Sequence, residues 1–205
     1  MSETEVTVGS PIRIPIFPLR TVLFPGGVLP LRIFEARYMD MTTRCLREGK
    51  VFGVCLIAEG SEVGQPAVPH AIGTSARIVS WDMAQPGLLN LVTHGEHRFR
   101  ILSTETAPDR LLTAEVEWLP EASSEPLAEG CAPLAALLHA IVTDSGETHF
   151  PPPHRFDDAD WVGTRLASVL PMPDKIRQQL LEMDDPITRI SVLRAFLSSQ
   201  GLTDG

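Results

Sequence analysis

The prevailing spacing of apolar residues along this chain changes at Pro120, and that switch constrains the fold more than any other feature. Before it they recur mainly at every second position, the pattern of strands with one face in a core. After it they recur at every third or fourth, the pattern of amphipathic helices. In Leu112-Thr113-Ala114-Glu115-Val116-Glu117-Trp118 the two-residue alternation is unbroken. Ile12-Arg13-Ile14-Pro15-Ile16-Phe17 alternates as well, and Pro15 and Pro18 confine it to a sheet edge or a barrel rim. Segregated strands and helices define the α+β class. The chain therefore divides into a β-rich part, residues 1–120, and an α-helical part, residues 121–205, joined through the polar run Glu121-Ala122-Ser123-Ser124-Glu125-Pro126.

Within the first part, Pro25-Gly26-Gly27 signals a turn before the apolar run Val28-Leu29-Pro30-Leu31-Arg32-Ile33. One early helix interrupts the strands. Phe34, Tyr38, Met41 and Cys45 fall at i, i+4, i+7 and i+11, which predicts that they share its buried face, and Gly49 supplies the stop. Val51–Ile57 reads as a strand buried on both faces, with Gly53 marking a bulge or a close backbone approach. Residues 60–70 read as a loop. Thr74–Trp81, Leu88–Thr93 and His97–Leu102 are further strands, the last two forming a hairpin that turns at Gly95. About six short strands of this kind predict a small barrel or sandwich. In the second part Leu127, Cys131, Leu134, Leu138 and Ile141 form a helical stripe whose start Gly130 and Pro133 delay. Phe150-Pro151-Pro152-Pro153-His154 is extended, and helices follow near Asp160–Leu170, near Pro173–Met183, and from Asp185-Pro186 onward. Gly201–Gly205 is expected to fray.

Composition narrows the chemistry. A chain of 205 residues can bury a core without disulfides or metal. Its three cysteines, odd in number and far apart, suit a reducing cytoplasm. No apolar run approaches a membrane span, and Met1-Ser2-Glu3-Thr4-Glu5 lacks the layout of an export signal, so a cytoplasmic protein without membrane partners is expected. The net charge of −9 repels a polyanion, which argues against nucleic acid as a partner. Gly49-Lys50 is followed by Val51 and preceded at the required spacing by Arg44, so no phosphate loop exists. A Ser–Lys dyad would have to use Lys50, beside an apolar strand, or Lys175, in the first turn of a helix. His94-Gly95-Glu96-His97 lies in strand context and lacks the helical i, i+4 spacing of a metal site. His149 and His154 have no further ligands nearby in sequence, and Cys45 and Cys55 sit on apolar faces where thiols are packing groups. No catalytic residue, metal ligand or cofactor is expected. What remains is the apolar stretch Phe17–Gly27, either a lid over the chain's own core or a contact surface, and any open sheet edge that would take an extended peptide.

Several segments together resemble a known family. Ile16-Phe17-Pro18-Leu19-Arg20, Leu23-Phe24-Pro25-Gly26 and Leu29-Pro30-Leu31-Arg32-Ile33-Phe34-Glu35-Ala36-Arg37-Tyr38 are similar to the opening of the Lon protease N-terminal domain, the LON substrate-binding domain. Val51-Phe52-Gly53-Val54, Ile72-Gly73-Thr74-Ser75-Ala76-Arg77-Ile78 and the Gly-x-x-Arg-Phe segment Gly95-Glu96-His97-Arg98-Phe99 fit the same pattern. Leu181-Glu182-Met183-Asp184-Asp185-Pro186, with Arg189, resembles the end of the helical part in stand-alone versions that lack the ATPase and protease domains. The resemblance implies a PUA-like β pseudobarrel with one early helix, followed by a C-terminal α-helical bundle. It implies a non-catalytic protein- or peptide-binding module, an adaptor in protein quality control. Its partners would be unfolded or hydrophobic polypeptides and a separate ATP-dependent protease, with self-association compatible. An RNA-binding PUA-like domain and an unrecognised hydrolase are the alternatives. The motif transfers no catalytic residue. Substrate contact is assigned to the exposed members of Phe24, Pro25, Leu29, Arg32 and Tyr38. Gly26, Phe34, Glu35, Gly95 and Arg98 are assigned to architecture, with Glu35 a candidate carboxylate partner for Arg98.

Overall fold

A computed structural model describes residues 11–201. The fraying expected at the C-terminus therefore falls almost wholly outside the described residues, as does the acidic start. The chain forms two compact units, Met1–Glu121 and Ala122–Gly205.

The first unit is a closed barrel. Its strands are β1 (Ile12–Leu19), β2 (Val28–Ile33), β3 (Phe52–Glu59), β4 (Val68–Pro69), β5 (Ile72–Gln85), β6 (Leu88–Thr106) and β7 (Leu112–Trp118), with α1 (Ala36–Glu48) between β2 and β3. β1 pairs antiparallel with β7 and parallel with β3. β3 then pairs with β5, β5 with β6 and β6 with β7, which closes the ring. β2 lies outside the ring against the first half of β6, Val28 opposite His94 and Ile33 opposite Leu89. The two prolines of β1 are tolerated because β3 contacts β1 only along Ile16–Leu19, while β7 takes Ile12–Ile16.

β6 differs from the expected hairpin. It runs unbroken through Gly95, and the turn falls instead at Pro86-Gly87, where Gly87 has φ 82°. Gly95 is needed for a close approach. A Cβ there would lie 2.3 Å from the Phe24 carbonyl oxygen. The Gly95 N–H donates to Gly27 (2.9 Å), and its carbonyl accepts from the Gly26 N–H (2.6 Å). The buried Thr74 hydroxyl donates to the Leu23 carbonyl (2.6 Å). The apolar stretch after β1 is thus stapled to β5 and β6 from two sides. Its own Val22, Leu23 and Phe24 side chains are buried, so it is a lid on its own core.

Two apolar clusters fill the barrel. One gathers Phe17, Leu31, Ile33, Tyr38, Met41, Cys45, Phe52 and Leu91 under α1, with the Phe17 and Tyr38 rings stacked at 4.0 Å. The other gathers Ile14, Ile16, Phe99, Val116 and Trp118. Phe99 enters a slot that only glycine leaves open, because a Cβ on Gly53 would meet its ring at 2.6 Å and one on Gly73 at 2.8 Å. α1 ends as expected, Gly49 adopting φ 64° and donating its N–H to the Cys45 carbonyl. Phe34 does not join the buried face. It precedes the helix, is 58% exposed, and leaves Tyr38, Met41 and Cys45 as the apolar stripe.

The second unit contains a 3-10 turn (Glu129–Cys131), α2 (Ala132–Ser145), α3 (Ala159–Val169), α4 (Asp174–Glu182) and α5 (Pro186–Ser199). Asp158 caps α3 by accepting the Trp161 N–H (2.8 Å), and Asp185 caps α5 by accepting those of Ile187 and Thr188. Arg189 of α5, 1% exposed, binds Asp160 of α3 (2.5 Å) and the carbonyls of Leu180 and Met183. Its stem packs over Gly163. This ties three helices to one guanidinium and gives the Asp-Pro…Arg segment a structural purpose.

Candidate functional site

Towards the start of β1 the barrel seam opens. β3 no longer reaches β1 before Ile16, and a cleft of about 600 Å³ occupies the space, bounded by Ile12–Pro15, the second half of α1, Gly49–Val51, and parts of β5, β6 and β7. Ile14, Met41, Cys45, Leu111 and Trp118, all buried, give it an apolar floor. Charged and polar side chains surround that floor. Arg77 makes a two-point ion pair with Glu96 and donates to the Gly49 carbonyl (3.0 Å). Lys50 pairs with Glu48 at 3.0 Å, and this contact holds the Glu48 carboxyl below the usual carboxylate range. His97 Nδ1 lies 3.0 Å from Glu121, and its backbone N–H donates to the buried Ser75 hydroxyl (3.0 Å). Arg13 pairs with Glu105 and donates to the Thr113 hydroxyl (3.0 Å). Among the described residues no ion pair engages Arg44.

An apolar floor rimmed by a few fixed polar groups is the general form of a binding cleft. Its one thiol is poorly suited to attack: burial pushes the Cys45 pKa up to about 11, so little thiolate exists near neutral pH. His97 lines the cleft and His94 does not, so the two histidines do not converge there. Among the described residues no group of three or more His, Cys, Asp or Glu converges as a metal site.

The residues singled out from sequence lie elsewhere. Phe24 is 1% exposed and Tyr38 4%, so both serve the core, and burial raises the Tyr38 pKa to about 12. Pro25 and Leu29 are half-buried, and Arg32 is exposed on β2. None of these five lines the cleft. Glu35 stands at the N-cap of α1 with its carboxylate 2.9 Å from Arg37, and buried Arg98 donates to the Pro120 carbonyl (3.3 Å). The cleft residues that sequence reasoning missed, chiefly Arg44, Arg77, Glu96 and Trp118, come from four elements. The only local signal is the helical spacing of Arg44 and of Cys45 to Glu48, at i+4 and i+3. A second exposed feature is the distal half of β5, where Val79, Trp81 and Met83 are each about half exposed.

A ring of five strands with a helix over one of its clusters, followed by a separate helical unit, defines a PUA-like barrel with a helical C-terminal part. The chain belongs to the LON substrate-binding domain family: the pattern described as "ATP-dependent protease La (LON) substrate-binding domain" matches residues 13–199. It is similar to the crystal structure of a Lon N-terminal domain protein from Xanthomonas campestris, with 37% identity and a TM-score of 0.75, over 90% of this chain and 98% of that one. The N-terminal domain of Mycobacterium avium complex Lon protease shares the fold, with a TM-score of 0.61 at 20% identity over 91% of this chain and 98% of that one. Among curated relatives, the Lon protease of Anaeromyxobacter dehalogenans is 28% identical over 92% of this chain, and chicken (Gallus gallus) cereblon 29% over 53%. The chain spans about a quarter of the length of each, 23% and 24%. Similarity to this family supports a substrate-recognition module. No helix among the described residues is long and apolar enough to cross a membrane.

Proposed function

We propose that this chain holds unfolded or hydrophobic polypeptide segments in the cleft beside α1, without cutting them, and serves as an adaptor that presents them to a separate ATP-dependent protease. The observation that carries this reading is the cleft itself: an apolar floor at an open strand edge, within a domain family named for substrate binding. The poor nucleophilicity of the buried Cys45 thiol favours holding over hydrolysis. The net charge of −9 favours polypeptide over RNA.

The test is binding of a fluorescent, permanently unfolded polypeptide, followed by anisotropy. Ile12, 37% exposed at the cleft, is replaced by Asp. Affinity should fall several-fold while the melting temperature holds. Equal binding by Ile12→Asp would move the site elsewhere, with the half-exposed Pro25 and Leu29 next to be tested. ATP hydrolysis or casein degradation eluting with the pure protein would overturn the non-catalytic reading. Co-purification with an ATP-dependent protease tests the adaptor role, and light scattering tests self-association.

A further inference from the structure

We infer that the cleft prefers extended segments whose apolar residues are flanked by acidic ones. This rests on the polypeptide-holding reading and names its substrate class. The lining carries four cations, Arg13, Arg44, Lys50 and Arg77, against two carboxylates, Glu48 and Glu96. Glu105 and Glu121 stand just outside the lining against Arg13 and His97, so among the described residues the positive charge left uncompensated at the rim rests on Arg44, on a chain whose net charge is −9. The acidic remainder of the surface repels anions at long range, so this rim is where an acidic flank gains most.

The cations differ in how firmly they are engaged. Arg77 is held at two points by Glu96 and at a third by the Gly49 carbonyl, so it acts as a fixed wall. Lys50 shares the exposed Glu48, and Arg13 reaches Glu105 with both side chains more than half exposed. Exposed pairs of this kind exchange partners at little cost. Arg44, exposed on α1 beside Cys45, is engaged by no ion pair among the described residues. It is the group with most to gain from an incoming carboxylate.

The extended conformation follows from β1. Along Ile12–Pro15 one edge is paired with β7, and among the described residues no strand lies beside the other. Backbone groups on that edge favour an added strand, whose alternate side chains would rest on the floor at Ile14, Met41 and Trp118. Pro15 lacks an N–H, which limits pairing to the first part of the edge. The contact is therefore short, and charge at the flanks contributes a correspondingly large share of selectivity.

Three labelled nonapeptides test this: one apolar centre flanked by glutamates, by serines or by lysines. At low salt the glutamate version should bind roughly 5–10-fold tighter than the lysine version, with serine between. At high salt the spread should shrink to about twofold, because the Debye length falls to about 3 Å at 1 M. Arg44→Glu should abolish or invert the order while leaving the melting curve unchanged, and Lys50→Gln should narrow it independently. Equal affinity for all three, or preference for lysine flanks, overturns this inference and leaves the holding function standing. Failure of every peptide to bind overturns both.

Discussion

Replacing Gly95 by alanine tests the physical account of the family's Gly-x-x-Arg-Phe segment most directly. The new methyl would stand 2.3 Å from the Phe24 carbonyl oxygen, about 1 Å inside ordinary contact, and 3.1 Å from Leu23 Cγ. The obstacle is backbone, so the stretch carrying Phe24 must lift. Lifting breaks the hydrogen bonds Gly26 N–H to Gly95 O and Gly95 N–H to Gly27 O. Each contributes about 0.5–1.5 kcal/mol. Partial exposure of Leu23 and Phe24 adds about 1 kcal/mol, since full burial of such a side chain stabilises by about 1.5–3 kcal/mol. The total is about 2–4 kcal/mol, or roughly 10–15 °C in melting temperature for a unit of this size. Urea unfolding followed by tryptophan fluorescence, with Trp161 of the second unit replaced by Phe, isolates the barrel. Trypsin should also cut sooner after the exposed Arg20. Gly49→Ala is the comparison. Gly49 has φ 64° and nothing within 4 Å of its would-be Cβ, so only the left-handed strain of about 1–2 kcal/mol applies. A loss below about 0.5 kcal/mol for Gly95→Ala, or a loss smaller than that of Gly49→Ala, would refute the stapled lid.

Arg189→Met strands Asp160 and the carbonyls of Leu180 and Met183. It should destabilise the helical unit by about 3 kcal/mol, read as an earlier loss of helical circular dichroism. Phe34→Ala should cost no more than about 0.5 kcal/mol, whereas Tyr38→Ala removes a buried ring stacked on Phe17 and should cost about 3–5 kcal/mol by chemical denaturation. The Asp185 carboxyl lies below its usual range because the Thr188 hydroxyl and backbone N–H donate to it. Its ionised form is thus favoured by folding: that stability is complete above the unfolded carboxylate pKa and is lost as pH falls through the folded value. Thermal melts of Asp185→Asn should accordingly show a shallower decline between about pH 4 and pH 2 than the parent, with 3.9 as the usual aspartate reference.

Period and punctuation carry most of the fold. Alternation in Leu112–Trp118, the stop at Gly49 and the Asp185-Pro186 cap each depend on neighbours within one turn or one strand, and each stands where the pattern places it. Gly95 misleads because a glycine in a strand has two meanings, a turn or a close approach, and only the position of Phe24 decides between them. Phe34 misleads because helical spacing extends the stripe one turn before the helix begins at Ala36. The cleft was less legible still. Arg77 and Glu96 meet because β5 and β6 are paired, and Trp118 joins them because β7 closes on β6. No spacing within the sequence encodes that meeting.

The ring is sealed by its first strand, which is gripped by β3 on one side and by β7 on the other. During synthesis β1 therefore emerges long before its second neighbour, Ile12 waiting for Val116. At about 5–20 residues per second that delay is roughly 5–20 seconds. Throughout it the nascent chain displays an unsealed apolar ribbon, Ile12 to Leu19, of the kind the finished domain is proposed to hold in others. Closure is in this sense a chain's capture of its own beginning, and any truncation ahead of Trp118 should leave the ribosome's product permanently ajar.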